Sequence, residues 1–154
     1  MLGSLDDACG ADVHSCALLR LRVLLAVGDP PVASALSEGL LAVGCTVTLA
    51  SNGVEALEKA EAGLAFDLLV ADAELPMLDG TGLARAVQKR SPWRPTIVLA
   101  DEPPGGALGV LQRRRRGRVL VVEKPVCSKR LLAAVARAVC RRTGAAERPC
   151  PALG

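Results

Sequence analysis

Five short apolar runs, each ending at polar or turn-forming residues and each followed by a stretch of helical spacing, constrain this chain more than any other feature of it. Val23 to Val27 runs into Gly28, Asp29 and Pro30, and Val47 and Leu49 alternate with Thr46 and Thr48 before Ser51, Asn52 and Gly53. Leu68 to Ala71 terminates at Asp72, Thr96 to Ala100 at Asp101, and Val119 to Val122 at Glu123 and Lys124. Runs of this length, too short for helices, read as buried strands. Between them, Val32, Leu36, Leu40 and Val43 predict a helix that Asp29 can cap, Pro30 can start and Gly44 can close. Val54, Leu57 and Glu61 set the phase of a second helix, with Glu55 and Lys59 as an i,i+4 pair and Gly63 at its end. Leu83, Ala86 and Val87 mark a third, stopped by Pro92. From Asp101 to Gln112, two prolines and three glycines weaken a helix that Leu108 and Leu111 support, so a short or frayed one is expected. Leu131, Leu132, Val135 and Val139 define the last helix, ended by Gly144.

Five strand–helix units joined by short connections predict an α/β domain, a doubly wound five-stranded parallel sheet with helices on both faces. The pattern occupies residues 21–142; residues 1–20 and 143–154 are expected to be flexible extensions. A chain of 154 residues can bury such a core without disulfides or a structural metal. With Phe66 and Trp93 as its only aromatics, that core must be built from Leu, Val and Ala. The six cysteines form no CxxC pair and read as reduced thiols, and Cys9, His14 and Cys16 lack an evident fourth metal ligand. No apolar run reaches the roughly 18 residues of a membrane span. The first segment carries Asp6, Asp7 and Asp12 and no Lys or Arg before Arg20, the reverse of a secretory leader. A soluble, cytoplasmic protein without membrane partners is expected.

In doubly wound sheets ligands bind at the carboxyl ends of the strands. Here those ends present Gly28 with Asp29, Asp72, Ala100 with Asp101, and Lys124. Several acids with one lysine suit a place where a divalent cation and a phosphoryl group meet, because the cation offsets carboxylate repulsion and the ammonium takes phosphoryl charge. Solvated strand ends with capping duties are the plainer alternative.

The string DLLVADAELPMLDG, residues 67–80, resembles the phosphorylation segment of response-regulator receivers, and VLVVEKP, residues 119–125, resembles their last strand. The similarity covers residues 21–142. It implies the flavodoxin-like receiver fold and a stand-alone receiver in two-component, phosphorelay signalling. It also implies Asp72 as the phosphoacceptor, attacking a phosphohistidine of a sensor histidine kinase or phosphotransfer protein. Lys124 would contact the phosphoryl oxygens, and the Lys124–Pro125 peptide would be cis. Mg²⁺ would be held by Asp29, Asp72 and the backbone carbonyl of Glu74. Three positions depart from the family: Val27 and Gly28 stand where receivers carry two adjacent acids, Ala100 replaces a Thr or Ser, and Val121 replaces a Tyr or Phe. Either Asp72 accepts a phosphoryl group with an impaired site, or the chain is a phosphorylation-independent pseudo-receiver that serves as a docking module.

Charge is divided along the chain. Residues 1–102 hold 7 Lys+Arg against 14 Asp+Glu, and residues 103–154 hold 12 against 2. Arg113, Arg114, Arg115 and Arg116 with Arg118 form the densest run, near the face of the fourth helix, last strand and last helix that receivers use for partners. Lys129 and Arg130 extend it. A downstream protein partner is favoured there over nucleic acid, since no aromatic interleaves the run, and a solvated helix end is the bland reading. Gly105, Gly106 and Gly109 make no dinucleotide fingerprint, and His14 is the only histidine, so an enzyme is not expected.

Overall fold

The computed structural model describes residues 20–101, 105–114 and 118–142. In chain order the elements are β1 (Arg22–Ala26), α1 (Pro30–Ala42), β2 (Thr46–Ala50), α2 (Gly53–Glu61) and β3 (Leu68–Asp72), then α3 (Gly80–Arg90), β4 (Thr96–Ala100), α4 (Gly106–Arg114), β5 (Val119–Glu123) and α5 (Ser128–Arg142). All strand pairs are parallel and the sheet order is β2-β1-β3-β4-β5, so the chain moves outward first to one side of β1 and then to the other. The expected doubly wound sheet is therefore present. The expected extensions, residues 1–19 and 143–154 with Gly144, lie outside the described residues.

Strand side chains alternate between two layers, as a period of two dictates. Val23, Leu25 and Val27 join Leu68, Val70, Ile97 and Leu99 beneath α1 and α5, which contribute Leu36, Leu40, Leu131 and Val135. Leu24, Ala26, Leu69 and Ala71 face α2 and α3, and Val98, Ala100 and Val119 pack with Leu108 and Leu111 of α4. Leu68, Leu69, Val70 and Ala71 are all fully buried, as a central strand covered on both faces requires. Truncating a Leu in such a layer typically costs about 2–5 kcal/mol.

Three local expectations need correction. Asp29 occupies the N-cap position of α1, but its side chain makes no capping hydrogen bond, and the buried stripe runs through Ala33 rather than Val32, which is 38% exposed. In α2 the buried face is Gly53 and Ala56 with Leu57 and Ala60 packed beside them, whereas Glu61 points outward. A carboxylate next to two small residues cannot define the apolar phase; the alanines do. The short helix expected in the stretch from Asp101 to Gln112 runs from Gly106, at φ 54°, to Arg114. Gly44 and Gly63, with φ of 99° and 96°, close α1 and α2 in the left-handed region.

Side-chain caps fix the two helices that flank the loop after β3. The Asn52 side chain accepts from the Glu55 N–H at 2.7 Å, and Glu55 Oε1 accepts from the Ser51 N–H and hydroxyl, both at 2.9 Å. Lys59 completes the i,i+4 pair with Glu55 at 3.7 Å. Asp79 Oδ1 accepts from the Gly82 N–H at 2.8 Å at the start of α3. The loop itself rests on α2, where a Cβ added at Gly53 would lie 1.8 Å from the Leu78 carbonyl oxygen. The obstacle is backbone, so Gly53→Ala must displace the loop or the helix. It should destabilise the protein by roughly 1–3 kcal/mol, read as a lower urea midpoint, while Gly63→Asn at its open left-handed position should cost much less.

Candidate functional site

Register places the chemistry. β1 pairs with β3 so that Ala26 is level with Ala71, and β3 pairs with β4 so that Asp72 is level with Leu99. Asp72 is thus the residue at which the buried strand β3 emerges. Beside it opens a cleft of about 440 Å³ lined by Asp29, Val32, Asp72, Asp101, Lys124 and Pro125, with Leu99 and Val126. Three acids and the lysine predicted from the strand ends are brought together. Glu74 follows in the loop and is joined to the site through its backbone, its N–H donating to Asp72 Oδ1 at 2.9 Å.

Lys124 Nζ donates to the same Oδ1 at 2.8 Å and lies 3.9 Å from Asp101 Oδ1. The Lys124 N–H donates to the Ala100 carbonyl at 2.8 Å, and the Lys124–Pro125 peptide is cis. Burial disfavours the ammonium, yet the hydrogen bond and charge of Asp72, with the charges of Asp101 and Glu74, outweigh it and hold the Lys124 pKa above the ordinary lysine value. Asp72 Oδ1 therefore takes two donors, and among the described residues no hydrogen bond reaches Oδ2. Such an arrangement orients the carboxylate and leaves one oxygen for an electrophile.

The positions that depart from the family pattern have definite surroundings. Val27, one step beyond Ala26, is 3% exposed and belongs to the core beneath α1 and α5. At Gly28 an added Cβ would meet Pro76 Cδ and the Ser51 carbonyl oxygen, each at 3.3 Å, so the loop after β3 crowds that position. Ala100 is buried and offers no donor, and Val121 packs against the same cluster. Asp29, freed from capping, stays in the cleft. Among the described residues no group of three or more His, Cys, Asp or Glu side chains is placed to hold a metal ion. The carboxylate set therefore does not fit a full Mg²⁺ site.

Only part of the arginine run lies among the described residues. Arg113 and Arg114 are exposed in the last turn of α4, while Arg115 and Arg116 lie outside the described residues. Arg118 is half-buried before β5, and its carbonyl accepts from the Thr96 N–H at 2.7 Å. Two features of this end of the molecule were missed in the sequence. Val32, read as core, is 38% exposed and lines the cleft, while Ala33 and Leu36 are buried; the only signal was the small residue next to it. Cys127 is exposed just before α5, and the backbone N–H groups of Arg130 and Lys129, aided by the Arg130 charge, hold its thiol below the usual cysteine pKa against desolvation. Cys45, buried beside α1, is pushed up to about 11 by desolvation. Neither of these two cysteines is in a disulfide. Among the described residues no helix is long and apolar enough to cross a membrane.

Comparison with known proteins is consistent across sequence and structure. The family model for the response regulator receiver domain matches residues 23–136. The chain is 30% identical over 129 residues to the transcriptional regulatory protein CusR of Escherichia coli, covering 81% of this chain and 53% of that protein. It is 42% identical over 86 residues to a gliding motility regulatory protein of Myxococcus xanthus, covering 53% of this chain and 11% of that protein. The chain thus spans about a tenth to a half of the length of these relatives. Among solved structures, a CheY-like response regulator receiver domain protein from Methanospirillum hungatei superposes with a TM-score of 0.72 at 22% identity, covering 81% of this chain and 98% of that one. Vibrio cholerae chemotaxis protein CheY4 gives 0.67 at 25% identity, covering 77% and 98%.

Two measurements check these environments. With limiting iodoacetamide at neutral pH followed by peptide mapping, Cys127 should be alkylated well before Cys45, since the thiolate is the reactive form; equal labelling would contradict the burial of Cys45. Because the Lys124 pKa is raised on folding, the contribution of its ion pair is fully present below the ordinary lysine value of about 10.4 and is lost as the pH rises through the folded value. Wild type should exceed Lys124→Met in stability by up to about 1 kcal/mol at neutral pH, a margin that closes in strong alkali.

Proposed function

Since the chain belongs to the response regulator receiver family, we propose that it accepts a phosphoryl group on Asp72 and transmits the modification through protein contacts in two-component signalling. Receivers are signalling modules rather than enzymes in their own right, and the phosphoryl donor in this reading is the phosphohistidine of a sensor histidine kinase or a phosphotransfer protein. The setting is the cytoplasm, where such donors act. The observation that carries the reading is the carboxylate of Asp72, held through Oδ1 by Lys124 and the Glu74 N–H with Oδ2 left open.

In the transfer, Asp72 Oδ2 forms a bond to phosphorus as the P–N bond to the donor histidine breaks, the electron pair leaving with the imidazole. Lys124 neutralises charge on the phosphoryl oxygens, and Asp101 keeps the ammonium in the cleft. Receivers bind Mg²⁺ at their acidic pocket. Here its ligands would be Asp29, Asp72 and the Glu74 carbonyl, a set made poorer by Val27 and Gly28, so acceptance rests on Lys124 more than on a cation. A second reading follows from the same departures: with no donor at Ala100 and a weakened cation grip, the domain acts as a phosphorylation-independent docking module. A nucleic-acid role for the arginine run ranks below both.

Intact-mass measurement after exposure to acetyl phosphate separates the two. A phosphoryl adduct that disappears in Asp72→Ala, with only weak dependence on Mg²⁺, is the expected result; no adduct at any Mg²⁺ concentration would leave the docking module. Ala100→Thr restores a hydroxyl beside the phosphoryl group. One added hydrogen bond to a charged group, worth roughly 1.5–3 kcal/mol, should raise the extent or rate of modification about tenfold or more.

A further inference from the structure

Between α3 and α4 runs a groove of about 370 Å³ that shares no residue with the Asp72 cleft. One wall is the face of α3 carrying Arg85 and Lys89, spaced i,i+4. The other carries Ala107, Val110, Leu111 and Arg114, spaced i, i+3, i+4 and i+7 on α4. Val110 is 43% exposed, an apolar side chain in water between three cations. None of the three cations is in an ion pair with a described residue, and no acidic side chain is among the described residues lining the groove. Gln88 lies in the same lining. It is 1% exposed, its Nε2 is spent on the Arg94 carbonyl and Thr96 Oγ1, and its Oε1 has no donor.

A shallow apolar floor with cations along both rims suits one kind of occupant. Nucleic acid would use the arginines but gain nothing from Val110 and Leu111, and no aromatic in the lining is available for base stacking. A second copy of the same face would bring three cations against three. A peptide that alternates carboxylates with aliphatic side chains matches both features, since its acids meet Arg85, Lys89 and Arg114 while a Leu-like side chain covers Val110. We infer that the α3–α4 groove is a docking site for an acidic amphipathic segment of a partner protein, separate from the face of α4, β5 and α5. Arg114 lines this groove.

The test is titration of the isotope-labelled full chain with a short Glu/Leu amphipathic peptide, followed by amide chemical shifts and by anisotropy of the fluorescein-labelled peptide. Shifts confined to α3 and α4 around Arg85, Lys89 and Val110 are expected. Arg85→Glu combined with Lys89→Glu should weaken binding about tenfold or more by replacing attraction with repulsion, and Val110→Asp should do the same. A peptide with Gln in place of Glu should bind at least about tenfold more weakly. Asp72→Ala should bind as wild type does, which keeps this outcome independent of phosphoryl acceptance. Absence of binding, shifts centred on β5 and α5, unchanged affinity in both variants, or tighter binding of duplex DNA than of the acidic peptide would each overturn the inference. The shift map is read on wild type, so it decides the matter even if a variant fails to fold.

Discussion

A strand buried on both faces can carry charge only where it leaves the sheet, and that constraint orders this molecule. β3 lies in the middle of five strands with four consecutive residues fully buried, so Asp72 is the first position on it where an ionised group can be solvated or paired. The neighbouring strands end at the same level because parallel register aligns their carboxyl termini. Lys124, Asp101 and Asp29 therefore line one cleft with Asp72 from separate segments without any long-range design beyond the hydrophobic pattern of the strands.

What surrounds that point has been set by packing as much as by charge. Pro76 and Ser51 close over Gly28, Val27 is drawn into the core, and the loop after β3 lies on Gly53. Acids at positions 27 and 28 would need room and hydration that these contacts remove. The loss of carboxylates there and the close seating of the loop are thus one structural fact seen from two sides. Ala100 adjoins this region, its methyl group buried with Val98 and Leu108.

Much of the fold was legible because long-period and short-period apolar patterns rarely coincide by chance: β4 at Thr96–Ala100 and the helix stop before Pro92 were readable from residues alone. The phase of α2 was not, since Ala56 and Ala60 give a weak apolar signal beside the long side chain of Glu61. At the site, the strand-end rule located Asp72, Asp101 and Lys124, but no sequence rule foretold that Asp29 would stand at a helix cap without capping, or that Val32 would turn toward the cleft. Those outcomes are set by tertiary packing, which buries Ala33 where the sequence pattern favours Val32.

The contact between Lys124 and Asp72 has a consequence for how the pocket meets its surroundings. A dissociable ion occupies a site in proportion to its concentration in the medium, whereas an ammonium on the same chain is supplied at a local concentration fixed by covalent geometry. At 2.8 Å from Oδ1, with its pKa raised, that counter-charge neither dilutes nor responds to chelators. The counter-charge that Lys124 brings to Asp72 is accordingly a property of the fold itself, present whatever the divalent ion supply.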